Sequence, residues 1–531
     1  MEGFRCWKQL GPLWRQAGVR VYPHQVDSAR RVLEEMGCRA ILADEVGLGK
    51  TVEAGLVLRE LMARGQVHKV LALVPASLVG QWAEELAGKF GLDFCTGPRG
   101  AQWLEEPRLL ASLDRAKRQD ARRLLALRRF DLVIVDEAHH LKNLRTLNYQ
   151  LIEGLATRFL LLLTATPVQN ELPELYNLVH LAQPERFPSY LRFYGALTAR
   201  RGQAKHAGEL HELLDRVMVR HRRSEVLGQL PPRRVSLLPV ELSTAERELY
   251  REVSRVLRRE YRRRSGNGAG LLPLITLQRE LCSSSFALRA TLERMGEEVL
   301  GGMLPQLVGR AAAVRENRKA QVLEDLVGGG TEQLIVFTEY RATQEHLFHR
   351  LKAAGRRAVL FHGGLSAHER SRALGEFRRG AQVLIATDAG GQGLNLQFCH
   401  RLINYDLPWN PMRVEQRIGR VHRLGQEHPV EIFNLYARET VEEHVLHLLH
   451  RKIDLFRRVV GELDVIIERL ERQRSFEGRV VEIVLGSEAP EEIRLGLERL
   501  GDEVLRVRRR VARELTSAWP AEGLPPYVAP C

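Results

Sequence analysis

The sequence predicts an α/β protein with two parallel-sheet lobes, helical insertions and a helical C-terminal extension. Two stretches alternate short apolar runs with helical patterns, which is typical of parallel sheets covered by helices on both faces. The length of 531 residues also favours several domains, because one domain usually spans about 150 residues. The predicted strands are 40–43, 70–74, 132–135 and 159–163 in the first lobe, and 334–337, 358–361, 383–386, 402–405 and 430–435 in the second.

Changes of pattern along the chain give the expected domain boundaries. Residues 241–325 are mainly helical and basic, which predicts an insertion between the two strand-rich stretches. Leu230, Pro231 and Pro232 predict a hinge, because each proline fixes its own φ and pushes the preceding residue towards an extended conformation. We therefore expect a first lobe at 1–230, a linker and helical insertion at 231–325, a second lobe at 326–465 and a helical extension of unknown role at 466–531.

Composition excludes several classes of protein. The hydrophobic fraction of 44% is ordinary for a globular chain, and no run of about 18 uncharged apolar residues is present to span a bilayer. The N-terminus lacks the charged-then-apolar design of a secretory signal, so we expect a cytoplasmic protein without a membrane partner. Six cysteines are scattered singly, which predicts reduced thiols and argues against a structural zinc site.

The charge balance favours a polyanionic partner. The net charge is +14 and the pI is about 9.7, and basic side chains gain affinity for phosphates by releasing counterions. An alternative is that the high arginine content reflects genome composition. The arginines of 251–264 leave a similar choice open, since they suit either a second DNA strand or a solvated helix face.

The segment 44–51, DEVGLGKT, predicts a phosphate-binding loop because it follows an apolar strand and precedes a helical pattern. Glycines such as Gly47 and Gly49 let backbone N–H groups wrap the phosphates of ATP at a helix N-terminus. Lys50 would neutralise their charge, and Thr51 would place its hydroxyl on Mg²⁺. Asp44 stands where the strict pattern has its first glycine. The alternative without a function is an ordinary glycine turn.

A second motif, DEAH at 136–139, follows another predicted strand. Its carboxylates should emerge at the carboxyl end of a parallel sheet, where such folds bind ligands. We expect Asp136 to hold Mg²⁺ and Glu137 to orient or deprotonate the attacking water. Read alone, the pair could equally cap a helix. Together with the phosphate loop it predicts ATP hydrolysis.

The second lobe offers cations for the charge that builds on the transferred phosphoryl group. Arg420 and Arg423 are three residues apart on a predicted helix, so they should face one direction. Arginine fingers of this kind raise phosphoryl-transfer rates by about 10³–10⁵. The alternative is a solvated arginine-rich helix. If they act as fingers, hydrolysis takes place at the interface of the two lobes and depends on lobe closure.

Taken together, these segments resemble the Swi/Snf-type (sucrose non-fermenting) ATP-dependent DNA translocases of helicase superfamily two, a family that includes the bacterial RNA-polymerase-associated ATPase. The resemblance spans roughly residues 20–460 and follows the order of the family. It implies two RecA-like lobes and an enzyme of the DNA-dependent ATPase type. Besides the two motifs above, it is carried by YPHQ at 22–25, LVPASLVGQW at 73–82, LTATPVQNELPELYNL at 163–178, LIVFTEY at 334–340, FHGGLS at 361–366, ATDAGGQGLNLQ at 386–397 and DLPWNPMRVEQRIGRVHRLGQ at 406–426.

The resemblance also implies roles for individual residues. Gln25 matches the adenine contact, Asp44 is itself typical of this branch, and Gln416 matches a position near the γ-phosphate. The remaining positions match the nucleotide segment of the second lobe (Gly393 and Asn395), the segment that couples nucleotide state to DNA (Thr164, Thr166 and Gln169), and DNA contacts on the opposite rim of both sheets (Pro75, Ser77, Trp82, Ser112, Thr338, His362, Gly363 and Thr387). Trp82 also fits simple core packing, four residues after Leu78 on a helix.

The expected function is ATP-dependent translocation on double-stranded DNA, without sequence preference, that remodels or displaces DNA-bound proteins. ATP and Mg²⁺ are the expected cofactors. The cargo would be a DNA-bound protein or RNA polymerase, and the protein would act as a monomer associated with the nucleoid of a bacterium or archaeon. The polymerase-associated relative has an extra N-terminal region, so polymerase recycling itself is not expected. The alternatives are a strand-separating DNA or RNA helicase, an adaptor that hydrolyses nothing, and the motor subunit of a defence or restriction system.

Overall fold

A computed structural model describes residues 21–45, 47–164, 172–185, 214–221, 226, 230–264, 272–388, 396–452 and 476–518. The chain divides into two compact units, and each is presented here by itself. The first unit contains the phosphate loop and the DEAH motif. The second contains residues 228–460 together with 470–505.

The first unit is built on a seven-stranded parallel sheet of order β3-β4-β2-β5-β6-β1-β7. Its central strands β2 and β5 carry continuous apolar runs, Val70–Val74 and Leu132–Val135, as expected when helices cover both faces. All four strands predicted for this lobe are confirmed. The strands are β1 Arg39–Leu42, β2 Val70–Val74, β3 Cys95–Thr96, β4 Arg108–Ser112, β5 Arg129–Val135, β6 Ala156–Leu163 and β7 Met218–Val219.

Helices pack on the two faces of this sheet and form two separate apolar clusters. One cluster contains the helix that follows the phosphate loop, and the other contains the fully buried Trp103 and Phe130. The helices are α1 Pro23–Glu34, α2 Lys50–Ala63, α3 Val79–Phe90, α4 Gln102–Glu105, α5 Leu113–Ala116, α6 Gln119–Ala126, α7 Leu147–Glu153 and α8 Leu172–Ala182, with 3₁₀ turns at Ala76–Leu78 and Ala138–Leu141.

The second unit has a six-stranded parallel sheet of order β10-β11-β9-β12-β13-β8. The five strands predicted for this lobe are confirmed. The strand β8 is a difference from expectation, because its residues were assigned to the linker and instead pair along their whole length with β13. The strands are β8 Arg233–Val240, β9 Leu334–Thr338, β10 Ala358–Phe361, β11 Val383–Thr387, β12 Arg401–Asn404 and β13 Val430–Ala437.

The insertion is helical, as its pattern predicts. Arginines of its first helix contact Glu488, which lies between two helices of the C-terminal extension. The helices of this unit are α9 Thr244–Arg264, α10 Leu272–Ser283, α11 Ser285–Leu292, α12 Glu297–Leu300, α13 Leu304–Ala313, α14 Arg318–Gly328, α15 Arg341–Ala353, α16 Ala367–Arg378, α17 Pro411–Ile418, α18 Val441–His447, α19 Phe476–Gly486 and the first part, up to residue 505, of α20 Pro490–Ala518. In the part of the chain that the structure describes, every helix is too short or too polar to cross a bilayer.

A buried ion pair joins the helix α14 to the helix α18 within the second unit. Lys319 of α14 lies 2.6 Å from the Glu442 carboxylate, and both side chains are almost fully buried. The same ammonium group donates to the carbonyls of Cys282 and Tyr405. All of its N–H groups therefore have acceptors, which is the condition under which a buried charge is tolerated.

Candidate active site and nucleic-acid interface

The phosphate loop lies between β1 and α2, at the carboxyl edge of the first sheet. Gly49 immediately precedes α2 and has a φ of +93°, a conformation that favours glycine. Lys50 is the first residue of the helix, and its Nζ donates to the carbonyl of Asp44 over 2.7 Å. Thr51 follows at the N-terminus of α2, so the lysine, the hydroxyl and the free backbone N–H groups are presented together, as an anion site requires.

Gln25 buttresses this loop from α1. Its Nε2 donates to the carbonyl of Leu48 over 2.9 Å, and its Oε1 accepts from the backbone N–H of Tyr22. His24 Nε2 lies 3.1 Å from the same Leu48 carbonyl. The YPHQ segment is thus hydrogen-bonded to the phosphate loop, and its contact with the nucleotide stays a prediction.

The Asp44 side chain lies in a buried polar cluster and is hydrogen-bonded to protein groups there. Its carboxylate accepts from the backbone N–H of His221 over 2.8 Å and lies 3.1 Å from the ring Nδ1 of that residue. Burial, reinforced by the nearby Asp44 carboxylate, holds the pKa of Glu53 well above its usual range. Burial alone would raise the pKa of Asp44, but hydrogen bonds from His221 and Glu53 outweigh it and lower that pKa. Asp44 therefore supports the loop, and its carbonyl is the part that meets Lys50.

The DEAH motif follows β5, which is separated from β1 by β6 alone. Asp136 Oδ1 accepts from the backbone N–H of Glu137 over 2.8 Å. Burial, reinforced by the Glu137 carboxylate, raises the pKa of Asp136 to about 6 against the opposing effects of Lys50 and of a hydrogen bond from Trp82. Glu137 has a φ of +51°, which is uncommon for a residue with a side chain and is frequent at functional sites.

These residues fit a magnesium ion and the phosphates of ATP. Mg²⁺ is bound through one or two carboxylates, hydroxyls and phosphate oxygens. Asp136 is partly exposed, and desolvation raises its pKa by disfavouring the charged form, which a divalent cation would stabilise. Thr51 offers the hydroxyl, and Glu137 remains 38% exposed beside His139 Nδ1. The donor set therefore contains one carboxylate that would bind the metal and a second carboxylate that would act on water.

The expected DNA contacts do not lie on a rim opposite the nucleotide residues. Each sheet is parallel, so within each sheet the carboxyl ends of all strands lie along the same edge. Ligand-binding side chains of such folds follow these strand ends. Pro75 and Ser77 follow β2, and Ser112 ends β4. These residues follow β2 and β4, which lie on one side of β5 in the sheet. Asp136 follows β5 itself, and the phosphate loop follows β1, on the other side of β5. The DNA candidates and the nucleotide residues therefore occupy two adjacent halves of one edge.

Two of the expected DNA contacts are buried side chains. The Thr338 hydroxyl is fully buried at the end of β9 and donates to Asp406 over 2.6 Å. Trp82 is only 1% exposed and its indole N–H donates to Asp136 over 3.0 Å. These side chains are therefore engaged inside the protein, and DNA contacts at the two positions stay predictions. For Trp82, the alternative of core packing holds.

The other DNA candidates have different degrees of exposure. Pro75, Ser77 and Ser112 are partly exposed, and the Ser112 hydroxyl caps α5 by accepting from the Arg115 N–H over 3.1 Å. Gly363 is exposed beyond β10. His362 and Thr387 are mostly buried at the ends of β10 and β11, and DNA contacts from them stay predictions.

The arginines of the second unit differ from expectation in their local structure. The helix α17 ends at Ile418, so Arg420 and Arg423 lie in the turn that follows it and not on the helix. The turn forms because Gly419 has a low helix propensity and the Arg420 carbonyl accepts from the N–H of Leu396. Both side chains are partly exposed. Gln416 is exposed on α17 itself.

Arg417 is the arginine that the sequence analysis left without a role. It is almost fully buried, and its Nε donates to Asp388 over 2.6 Å. Another of its N–H groups donates to the Asp406 carbonyl over 2.7 Å. Arg417 therefore ties α17 to the ends of β11 and β12 and fixes the segment that carries Arg420 and Arg423. The sequence signal that could have identified Arg417 is its position inside the motif QRIGRVHR. Its partner Asp388 lies in another motif, ATDAGG.

Several expected site residues lie outside the described residues, namely Gly393, Asn395, Thr166 and Gln169. The coupling residue Thr164 is described, and it is fully buried at the end of β6, where its N–H donates to the Leu42 carbonyl. Its coupling role stays a prediction.

Substitution of Gly49 by alanine tests the geometry of the phosphate loop. A Cβ at this position would overlap Nε2 of Gln25 and would also be strained by the positive φ. The strain costs about 1–2 kcal/mol, and displacement of Gln25 from Leu48 costs about 1 kcal/mol more. We expect Gly49→Ala to weaken ATP binding at least about tenfold, measured with a fluorescent ATP analogue.

Gly91→Ala is the matched control, because Gly91 also has a positive φ but would place its Cβ in open space. Both variants should lose thermal stability through the positive φ, but only Gly49→Ala should lose nucleotide affinity. Equal ATP affinity of the two variants would show that Gln25 does not support the nucleotide site.

The comparisons with known proteins agree with this geometry. Residues 24–287 match the family model described as SNF2-related domain, and residues 318–425 match the helicase conserved C-terminal domain. The chain is 42% identical over 485 residues to YqhH of Bacillus subtilis (strain 168), described as an uncharacterized ATP-dependent helicase, with 90% of this chain and 86% of that protein covered. It is 31% identical over 502 residues to the RNA polymerase-associated protein RapA of Sodalis glossinidius (strain morsitans).

That alignment covers 86% of this chain and 51% of RapA, so the chain spans about half the length of that relative. Among solved structures, the Sulfolobus solfataricus SWI2/SNF2 ATPase core in complex with dsDNA is 21% identical, with a TM-score of 0.39, and 87% of this chain and 97% of that chain are covered.

The fold and the site define an ATP-hydrolysing enzyme with two parallel-sheet domains. The chain belongs to the SNF2-related proteins of helicase superfamily two.

Proposed function

We propose that this ATPase translocates along double-stranded DNA and displaces or remodels proteins bound to it. The observation that carries the proposal is the arrangement of the first sheet, in which the phosphate loop and DEAH carboxylates share one edge with Pro75, Ser77 and Ser112. A nucleotide held on one half of this edge can influence a nucleic acid held on the other half. The net charge of +14 supports a polyanionic partner.

The chemistry is assigned to the residues as follows. Lys50 and the N–H groups at the start of α2 bind the phosphates, and Thr51 and Asp136 would hold Mg²⁺, which neutralises charge on the phosphates. Glu137 orients the attacking water and accepts its proton. Arg420 and Arg423 stabilise the charge that develops on the transferred phosphoryl group, a role that rests on their sequence motif.

The DNA contacts are assigned to small side chains and backbone groups. Pro75, Ser77 and Ser112 lie where a phosphate backbone would meet amides and hydroxyls, and such contacts position DNA without reading its sequence. Gly363 and its neighbour His362 are the corresponding candidates in the second sheet. The name of the RapA relative supports an RNA polymerase on DNA as one candidate cargo.

A pair of displacement assays tests this function. A protein that moves along duplex DNA removes a third strand from a triplex in an ATP-dependent way while leaving the two strands of the duplex paired. We expect triplex displacement by the wild-type protein and none by Lys50→Ala, since that variant lacks the cation at the phosphates.

The same preparations are assayed on a forked duplex. Unwinding of the fork without triplex displacement would overturn the translocase function and favour a strand-separating helicase. If neither DNA substrate is displaced and no ATP is hydrolysed in the presence of either, an adaptor that binds DNA without hydrolysing ATP would be favoured.

A further inference from the structure

The indole of Trp82 makes a polar contact inside the apolar core of the first unit. Trp82 lies in the first turn of α3 and is 1% exposed. Its Nε1 lies 3.0 Å from Oδ2 of Asp136, and the other oxygen, Oδ1, accepts from the Glu137 N–H over 2.8 Å. Each oxygen of the Asp136 carboxylate therefore has one fixed donor.

The chemistry of the indole makes this contact directional. An indole N–H can only donate, so it matches a carboxylate and has no alternative role as an acceptor. The ring is held by the surrounding apolar cluster, which includes Leu78 and Leu86. The donor can therefore not swing away, and the plane of the Asp136 carboxylate is fixed from two sides. Groups that orient a metal-binding carboxylate in this way typically change metal affinity by about 10–100-fold when removed.

The contact also joins the two halves of the carboxyl edge. The helix α3 follows β2 through the turn Ala76–Leu78, which contains the DNA candidate Ser77. Asp136 follows β5, the direct neighbour of β2. The hydrogen bond from Trp82 thus crosses from the half proposed for DNA to the half proposed for the nucleotide.

Trp103 shows that a buried tryptophan in this unit does not need a carboxylate partner. It is fully buried, and its Nε1 has no hydrogen-bond partner among the residues that the structure describes. A tryptophan can therefore pack in this core without a hydrogen bond from its indole N–H. The hydrogen bond of Trp82 to Asp136 is not required for packing.

We propose that Trp82 is a positioning residue that orients the Asp136 carboxylate for the divalent cation of the nucleotide site. The inference rests on the proposed ATPase site, since it takes Asp136 as the metal ligand. This role differs from the DNA contact expected at this position from the sequence.

Trp82→Phe tests the proposal, because it keeps an aromatic ring in the core and removes only the indole portion that carries the N–H. Trp103→Phe is the matched control. Mn²⁺ is titrated into the full chain with ADP, and free Mn²⁺ is measured by electron paramagnetic resonance. We expect Trp82→Phe to weaken Mn²⁺ binding about tenfold or more and Trp103→Phe to leave it unchanged. ADP binding in the presence of a chelator should be the same in all three proteins.

Wild-type Mn²⁺ affinity in Trp82→Phe would overturn the proposal, as would an equal loss in both variants. A wild-type chain that bound no Mn²⁺ with ADP would instead count against the proposed nucleotide site itself.

A second measurement applies if Trp82→Phe does not fold. The wild-type chain is labelled with 5-fluorotryptophan, and the signal of Trp82 is assigned as the one that survives single phenylalanine substitutions of the other five tryptophans. Mn²⁺ with ADP should broaden this ¹⁹F signal strongly because the bound ion lies next to Asp136, whereas Mg²⁺ should not. A Trp82 signal that stays sharp would overturn the proposal.

Discussion

Glu137→Gln is expected to lower ATP turnover by about 10²–10⁴-fold, which is the usual contribution of a general base, while ATP binding remains. Glutamine has the shape of glutamate but cannot accept the proton of the attacking water. The backbone of Glu137 is held at a φ of +51° and its carboxylate is 38% exposed beside His139. The carboxylate is thus accessible to water.

The measurement is single-turnover hydrolysis of ATP with duplex DNA, alongside binding of a fluorescent ATP analogue. Glu153→Gln is the control, since it makes the same chemical change at an exposed position at the end of α7. Turnover of Glu137→Gln within about threefold of the wild type would remove Glu137 from the reaction, because a lost general base costs at least about 100-fold.

Arg420→Ala and Arg423→Ala are each expected to lower the rate of hydrolysis by about 10³-fold or more. The two arginines are partly exposed in the turn after α17, and Arg423 Nε donates to the Gly419 carbonyl over 2.6 Å. Because they act on charge that appears during the reaction, kcat and kcat/KM should fall together while ATP binding changes little.

Arg413→Ala is the matched control on α17. Its side chain is 47% exposed and pairs with Glu339, so its removal leaves the turn of Arg420 and Arg423 in place. A loss of less than tenfold in both Arg420→Ala and Arg423→Ala would contradict their role as fingers. A similar loss in Arg413→Ala would indicate a general effect on this segment.

Apolar runs predicted nine of the thirteen strands in the described part of the two sheets and missed β3, β4, β7 and β8. Each of the nine expected strands is present, since a strand buried on both faces must be apolar along its length. The short strand β3 was missed because Cys95 and Thr96 form no apolar run. The strand β8 was missed because it is an edge strand of mixed burial whose Arg233 pairs with Glu415, a partner far away in the chain.

The sequence motifs predicted which residues follow the strands, but not where their side chains point. DEVGLGKT and DEAH lie at one carboxyl edge, as expected from a parallel sheet. The contacts of Asp44 with His221, of Thr338 with Asp406 and of Trp82 with Asp136 join residues far apart in the chain. Such pairs depend on tertiary packing, and no local pattern encodes them.

The most direct test of the account is the ATPase rate with duplex DNA, single-stranded DNA and RNA at equal nucleotide concentration. The account predicts that duplex DNA stimulates hydrolysis most strongly and that sequence has little effect, because the proposed contacts are to the phosphate backbone. A stronger stimulation by RNA than by duplex DNA would contradict it.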